Sequence, residues 1–135
     1  MPASDMILRP VGIIQSPLKA RKDAPRQGGA GAPDAWILID PALSPALEGL
    51  VVGREIIVIT WLHRADRDTL QVYPRQDLSS PIKGVFATRS PDRPNPLGLH
   101  PVTILEIEGN RLKVGPIEAI DGTPVVDIKP APRPV

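Results

Sequence analysis

The sequence predicts an all-β fold with little helix, a small barrel or sandwich of about seven or eight short strands joined by long loops. Three observations lead there. Apolar residues make up 41% of the 135-residue chain, but they are mostly Val, Ile, Leu and Ala, with one Phe, two Trp and one Tyr. Branched aliphatic side chains are stiff at χ1 and suit pleated, half-buried surfaces better than helices. The 18 Pro and 11 Gly fall short of a disordered composition and cut the chain into short runs ended by turns. No long helical period and no internal repeat interrupts those runs.

In chain order, Val11 to Ile14 reads as the first strand, stopped at Ser16-Pro17. Residues 19–33 turn from basic to Gly-rich and read as a loop. Trp36 to Ile39 is the second strand, and Pro41 to Gly49 holds a helical turn, with Pro45 placed for a helix start. Arg54 to Leu62 is an apolar run expected as a central strand buried on both faces. Thr69 to Tyr73 and Val85 to Thr88 read as short strands. Val102 to Glu108 and Arg111 to Val114 flank Gly109-Asn110, a hairpin signal. Val125 to Ile128 is the last strand, and Pro116 marks an edge or bulge. A chain of this length has room for one core, so residues 1–135 are expected to form one domain, with 1–8 and 131–135 as flexible termini.

The formal net charge is +1, so the molecule as a whole has no strong field. Its distribution is uneven. Arg9, Lys19, Arg21, Lys22 and Arg26 face only Asp23, whereas Asp34, Asp40, Glu48 and Glu55 outnumber Arg54. The first cluster suits an anionic partner, although a solvated charged face is the commoner explanation of such a run. The absence of cysteine removes disulfides, thiolate metal sites and thiol nucleophiles. No secretory leader and no membrane-length apolar run is visible, which makes the cytoplasm the expected location. His63 and His100 are the only histidines, and their spacing with the carboxylates suggests no metal site.

Chemistry concentrates in residues 84–99, GVFATRSPDRPNPLGL. Pro91, Pro94 and Pro96 fix φ and push their predecessors toward extended geometry, so the loop loses little entropy when it binds. Arg89 and Arg93 carry planar forks suited to a carboxylate or phosphate. Asn95 offers a donor and an acceptor, and Gly98 allows a close backbone approach to a ligand. A plain proline turn with surface arginines competes with this reading. Asp121-Gly122-Thr123-Pro124 alone reads as a turn, and His63 as a surface residue near a strand end. Gly28 to Ala32 resembles a phosphate loop but lacks the flanking strand and helix.

The stretches Pro10 to Pro17, Pro25-Arg26-Gln27, Gly84 to Leu99 and Asp121 to Pro130 together resemble the TsaA-like, TrmO-type family, in the same order and over nearly the whole chain. The resemblance implies a single β-barrel that binds S-adenosyl-L-methionine and works as a homodimer. It further implies N6-methylation of threonylcarbamoyl-adenosine beside the anticodon of a threonine tRNA, with the anticodon loop as partner. Carried over, the cofactor contacts are Pro25, Arg26, Gln27, His63, Arg64, Arg89, Leu99, Ala119, Ile120, Asp121, Gly122 and Thr123. Asp121, Asn95 and His63 are the candidates for accepting or orienting a proton. Arg93, Asn95, Lys19, Arg21 and Lys22 are the expected substrate contacts. Trp61 and Tyr73 are aromatic candidates for stacking on a flipped base, although both also suit the core. Ala131 stands where the family often has Tyr, and the extra C-terminal domain of longer members is not expected. A cofactor-binding module without transferase activity, or a small-molecule methyl acceptor, remains compatible with the residues.

Overall fold

A computed structural model describes residues 6–25 and 31–133. Eight strands form: β1 (Gly12–Gln15), β2 (Ala35–Ile39), β3 (Glu55–Trp61), β4 (Gln71–Val72), β5 (Lys83–Gly84), β6 (Leu97–Glu108), β7 (Arg111–Gly115) and β8 (Pro124–Pro130). Six of them close a barrel in the order β1-β2-β7-β6-β3-β8, while β4 and β5 pair separately. Short 3-10 turns supply the only helical structure among the described residues. The all-β barrel expected from the sequence is what the chain builds.

Every barrel pairing is antiparallel. Six is an even number, so the strands alternate in direction around the whole circle. The C-terminal ends of β1, β3 and β7 therefore share one end of the barrel with the starts of β2, β6 and β8. Three connections open at that end, residues 16–34, 62–96 and 116–123. The opposite end carries residues 40–54, the Gly109-Asn110 turn, the start of β1 and the finish of β8. Gly109 has φ +59°, the positive value that the first central position of a II′ hairpin turn requires.

The interior is aliphatic. Ile14, Ile37, Ile56, Val58, Ile104, Leu112, Val114, Ile117 and Val125 are each at most 1% exposed. Each such side chain contributes about 1.5–3 kcal/mol relative to exposure. On β3 the inward residues Ile56, Val58 and Thr60 are buried, whereas Ile57, Ile59 and Trp61 are half-buried on the outer face. The expectation of full burial on both faces is corrected accordingly.

Two strand assignments also change. Val85–Ala87 is a 3-10 turn rather than a strand, and the short strand there is Lys83–Gly84. The expected long loop ends early, because Leu97 to Leu99 already belongs to β6. Pro101 lies inside β6, which sequence rules disfavour for a central strand. The register explains its tolerance. Pro101 pairs with Ile57 of β3, while β7 joins β6 only from Thr103 onward. The missing N–H thus faces the side where β6 has no neighbour. The 3-10 segment Pro41–Leu47 starts at Pro41 behind Asp40, whose side chain accepts from Ala42 N–H, so Pro45 lies inside it.

Candidate functional site

The three connections at one barrel end bring nearly every expected functional residue to a common rim. The β3-to-β6 connection is held from within by Arg93. Its Nε donates to Ser90 O at 2.8 Å, and its Nη2 donates to Val85 O at 2.8 Å and Thr88 O at 2.6 Å. Thr88 Oγ1 donates to Val85 O, Ser90 N–H to Thr88 Oγ1, and Asp92 N–H to Ser90 Oγ. Arg93, expected to contact substrate, instead spends its fork on carbonyls of its own loop. The physical reason is the geometry of the turn, which aims three acceptors at one planar donor set.

Asp92 ties this loop to its neighbours. Its carboxylate lies 3.1 Å from Arg21 Nη2 and accepts from Asp66 N–H at 2.8 Å. Arg21 also donates to Arg64 O. Arg67 stacks over Trp61, 4.9 Å from its ring centroid, and donates to Pro94 O and Asn95 Oδ1. That oxygen keeps a second lone pair, so Asn95 still presents both an amide donor and an acceptor.

The 116–123 connection forms the facing wall. Asp121 Oδ1 accepts from Ser16 N–H at 2.9 Å, and Oδ2 lies 3.2 Å from Lys19 Nζ. The Ser16 N–H and then Lys19 hold this carboxyl below the usual carboxylate range, so Asp121 anchors two loops and is a weak proton acceptor. Ala119, Ile120 and Thr123 have buried side chains, and Gly122 has φ +82°. This wall therefore offers main-chain atoms to a ligand rather than side chains. Among the described residues, Ala119 makes no hydrogen bond.

Other expected residues divide clearly. Arg89, Arg64 and Lys22 are exposed, with side chains in no ion pair or hydrogen bond among the described residues. His63 is exposed in the turn after β3, and desolvation followed by the Arg64 charge lowers its pKa. It is neutral at pH 7 and can accept a hydrogen bond. Pro25 is half-buried, whereas Arg26 and Gln27 lie outside the described residues. Leu99 is brought to the outer face of β6 at 52% exposure, away from the mouth's interior. Tyr73 is 41% exposed, and Trp61 is half-buried beneath Arg67.

Two features were not read from the sequence. Phe86 is 86% exposed on the turn whose flanking carbonyls Arg93 clamps. The 3-10 turn buries Val85 and turns the next side chain outward, which an apolar pattern does not reveal. Inside the barrel, His100 Nδ1 lies 2.6 Å from Glu118 Oε1, and its Nε2 lies 2.7 Å from Thr60 Oγ1. Their separations in sequence, 18 and 40 residues, gave no signal. Gly98 serves this pair rather than a ligand, since a Cβ there would stand 2.6 Å from both His100 Nε2 and Thr60 Oγ1. No group of three potential metal ligands occurs among the described residues, and none of their helices is long and apolar enough to cross a membrane.

Residues 13–133 match the model of the tRNA-methyltransferase O N-terminal domain. The chain belongs to this family. An S-adenosyl-L-methionine-binding protein of Archaeoglobus fulgidus is 48% identical over 124 residues, covering 92% of this chain and 88% of the relative. A probable S-adenosyl-L-methionine-binding protein of Methanothermobacter thermautotrophicus is 46% identical over 123 residues, covering 91% and 88%. The crystal structure of TrmO from Pseudomonas aeruginosa superposes with a TM-score of 0.75 at 32% identity and covers 98% of this chain. This chain spans 57% of that solved protein's length.

Proposed function

We propose that this family member is an S-adenosyl-L-methionine-dependent methyltransferase that methylates N6 of threonylcarbamoyl-adenosine next to the anticodon of threonine tRNA. The observation that carries the reading is the rim itself, where the unpaired Arg89 faces outward from a loop clamped by Arg93 and the neighbouring connection offers a main-chain wall. The names of the archaeal relatives support the cofactor, and family membership supports the reaction class.

The residues fit such a cofactor. Arg89 is a free fork for its carboxylate. Neutral His63, the Ala119 N–H and carbonyl and the Ile120 N–H supply hydrogen bonds for a sugar and base, since the Asp121 and Gly122 N–H groups are bonded to Leu18 O and Ile14 O. A sulfonium is best placed by the main-chain wall, away from Arg89 and Arg64. When bound, the cofactor supplies a methyl group for in-line transfer to a nucleophile. The protein's part is largely alignment, for which a stiff proline loop is suited. Both Asp121 oxygens are engaged and the Asn95 carboxamide is a very weak base, so His63 is the best proton acceptor of the three candidates. Lys22, Arg64 and Arg89, in no ion pair among the described residues, supply positive charge for an RNA backbone, and Phe86 is a stacking surface for an unstacked base. Lys19 and Arg21 contribute through their ion pairs to the rim's shape.

The assembly proposed is a homodimer in the cytoplasm. The pairs Ile57–Pro101, Ile59–Leu99 and Trp61–Leu97 form an apolar stripe on the outer face, with Leu97 42% and Leu99 52% exposed. A second copy covering this stripe brings Leu99 into a shared site. Sedimentation of the wild type and of Leu99→Asp tests this, with a monomeric wild type counting against it.

A second reading, a cofactor-binding module without transferase activity, draws on the relatives' names, which state binding only. The deciding experiment is transfer of labelled methyl to threonine tRNA with and without the threonylcarbamoyl group, using wild type and Arg89→Ala. Transfer that requires both the modification and Arg89 supports the enzyme. Cofactor binding without transfer to any tRNA or small-molecule acceptor leaves the binding module.

A further inference from the structure

His100 is a titratable group in a barrel core that is mostly aliphatic. Its side chain is 4% exposed, and that of Glu118 is 20% exposed. Thr60 is fully buried. A carboxylate only accepts, so Nδ1–H donates to Glu118, and Nε2 shares the second hydrogen bond with the Thr60 hydroxyl, which can either donate or accept. Every polar atom of the imidazole is thereby satisfied without water. Such a chain costs more to bury than an Ile would, and it compensates by permitting one geometry only.

The geometry specified is that of the wall. Ile117 N–H donates to Pro33 O at 2.9 Å, and Asp121 N–H donates to Leu18 O at 2.6 Å. Between those bonds the chain runs through Glu118, Ala119 and Ile120, outside any strand. Two side-chain bonds tether this span: Glu118 to His100 of the barrel, and Thr123 Oγ1 to Ile120 O. His100 is itself fixed on both sides, by Thr60 and by the close approach of Gly98.

We propose that His100 is a positioning residue: pinned against Thr60, it holds Glu118 and so sets the Glu118–Ile120 main chain that walls the cofactor site. This rests on the reading of the rim as a cofactor site. Neither His100 nor Glu118 needs to touch the reacting atoms.

The test uses the full chain with S-adenosyl-L-methionine and S-adenosylhomocysteine in calorimetry, and amide exchange by NMR without ligand. Glu118→Ala is expected to weaken binding about tenfold and to speed exchange by a similar factor at Ile117 and Asp121, the hydrogen-bonded amides that bracket the span, through the loss of one charge-assisted hydrogen bond. Glu118→Gln keeps an oxygen to accept from Nδ1–H and is expected to restore both. Ile104→Val, a core change elsewhere, lowers the melting temperature and leaves both readouts unchanged. Equal losses in Glu118→Ala and Glu118→Gln would mean that the carboxylate meets the ligand directly, overturning the proposal. Unchanged exchange in Glu118→Ala overturns it as well. If the wild type binds neither ligand, the cofactor-site reading falls, and the exchange arm still decides whether His100 sets this wall.

Discussion

Arg93→Ala removes three hydrogen bonds from a half-buried guanidinium to Ser90 O, Val85 O and Thr88 O. A charged donor contributes about 1.5 kcal/mol at the low end, so the three together come to about 4.5 kcal/mol on that conservative figure. Two features lower it. Val85 O keeps Thr88 N–H and Thr88 Oγ1, each at 3.0 Å, and water reaches part of the vacated space. About 2–3 kcal/mol remains, or roughly 30- to 150-fold in an opening equilibrium. The loss should appear first as local opening of residues 85–96, since the barrel strands are paired independently of this loop. Amide exchange at Thr88 and Leu97 therefore accelerates by that factor, while urea unfolding followed by tryptophan fluorescence shifts less. Arg93→Lys offers a point charge without a fork and recovers only part of the effect. Wild-type exchange rates in Arg93→Lys would refute the claim that planar, multidentate donation holds this loop.

Other expectations follow from single contacts. Gly98→Ala forces a Cβ to within 2.6 Å of two buried polar atoms and costs about 1–3 kcal/mol in thermal unfolding; an unchanged melting temperature would contradict the packing. Asp121 has a folded pKa below its unfolded value, so its stabilisation is present above the ordinary carboxylate pKa and is lost as pH falls through the folded one. Asp121→Asn should be less stable than wild type at pH 7, with the two stability curves converging in acid. Phe86→Ala should leave the melting temperature within a degree or two, given its exposure, and weaken binding of threonine tRNA about tenfold. Unaltered affinity in a filter-binding assay removes Phe86 from the RNA interface.

Much of the barrel was legible because alternation and turn chemistry agree. Ile56, Val58 and Thr60 alternate with Ile57, Ile59 and Trp61, and Gly109-Asn110 names its own turn. The start of β6 was not legible, because Pro96 and Pro101 look like strand breakers until the register shows where β6 lacks a neighbour. In the Arg-Pro loop the residue types were visible but their directions were not. Arg89 and Arg93 are equivalent forks in a sequence, and only the turn at Val85–Ala87 decides which one points inward. The Thr60–His100–Glu118 chain joins two strands and a connection that lie 18 and 40 residues apart in sequence, so no local spacing announces it. Thr60 and His100 look like two ordinary inward positions on adjacent strands.

The alternation of strand directions also matters to anyone who wishes to cut or fuse this molecule. The start of β1 and the finish of β8 sit at the end remote from Arg89, as does the Gly109-Asn110 turn. A circular permutant that joins the native ends through a flexible linker and opens at that turn would leave all three rim connections covalently intact. A surface tether attached before β1 or after β8 would likewise hold the barrel with the Arg89 rim toward solution.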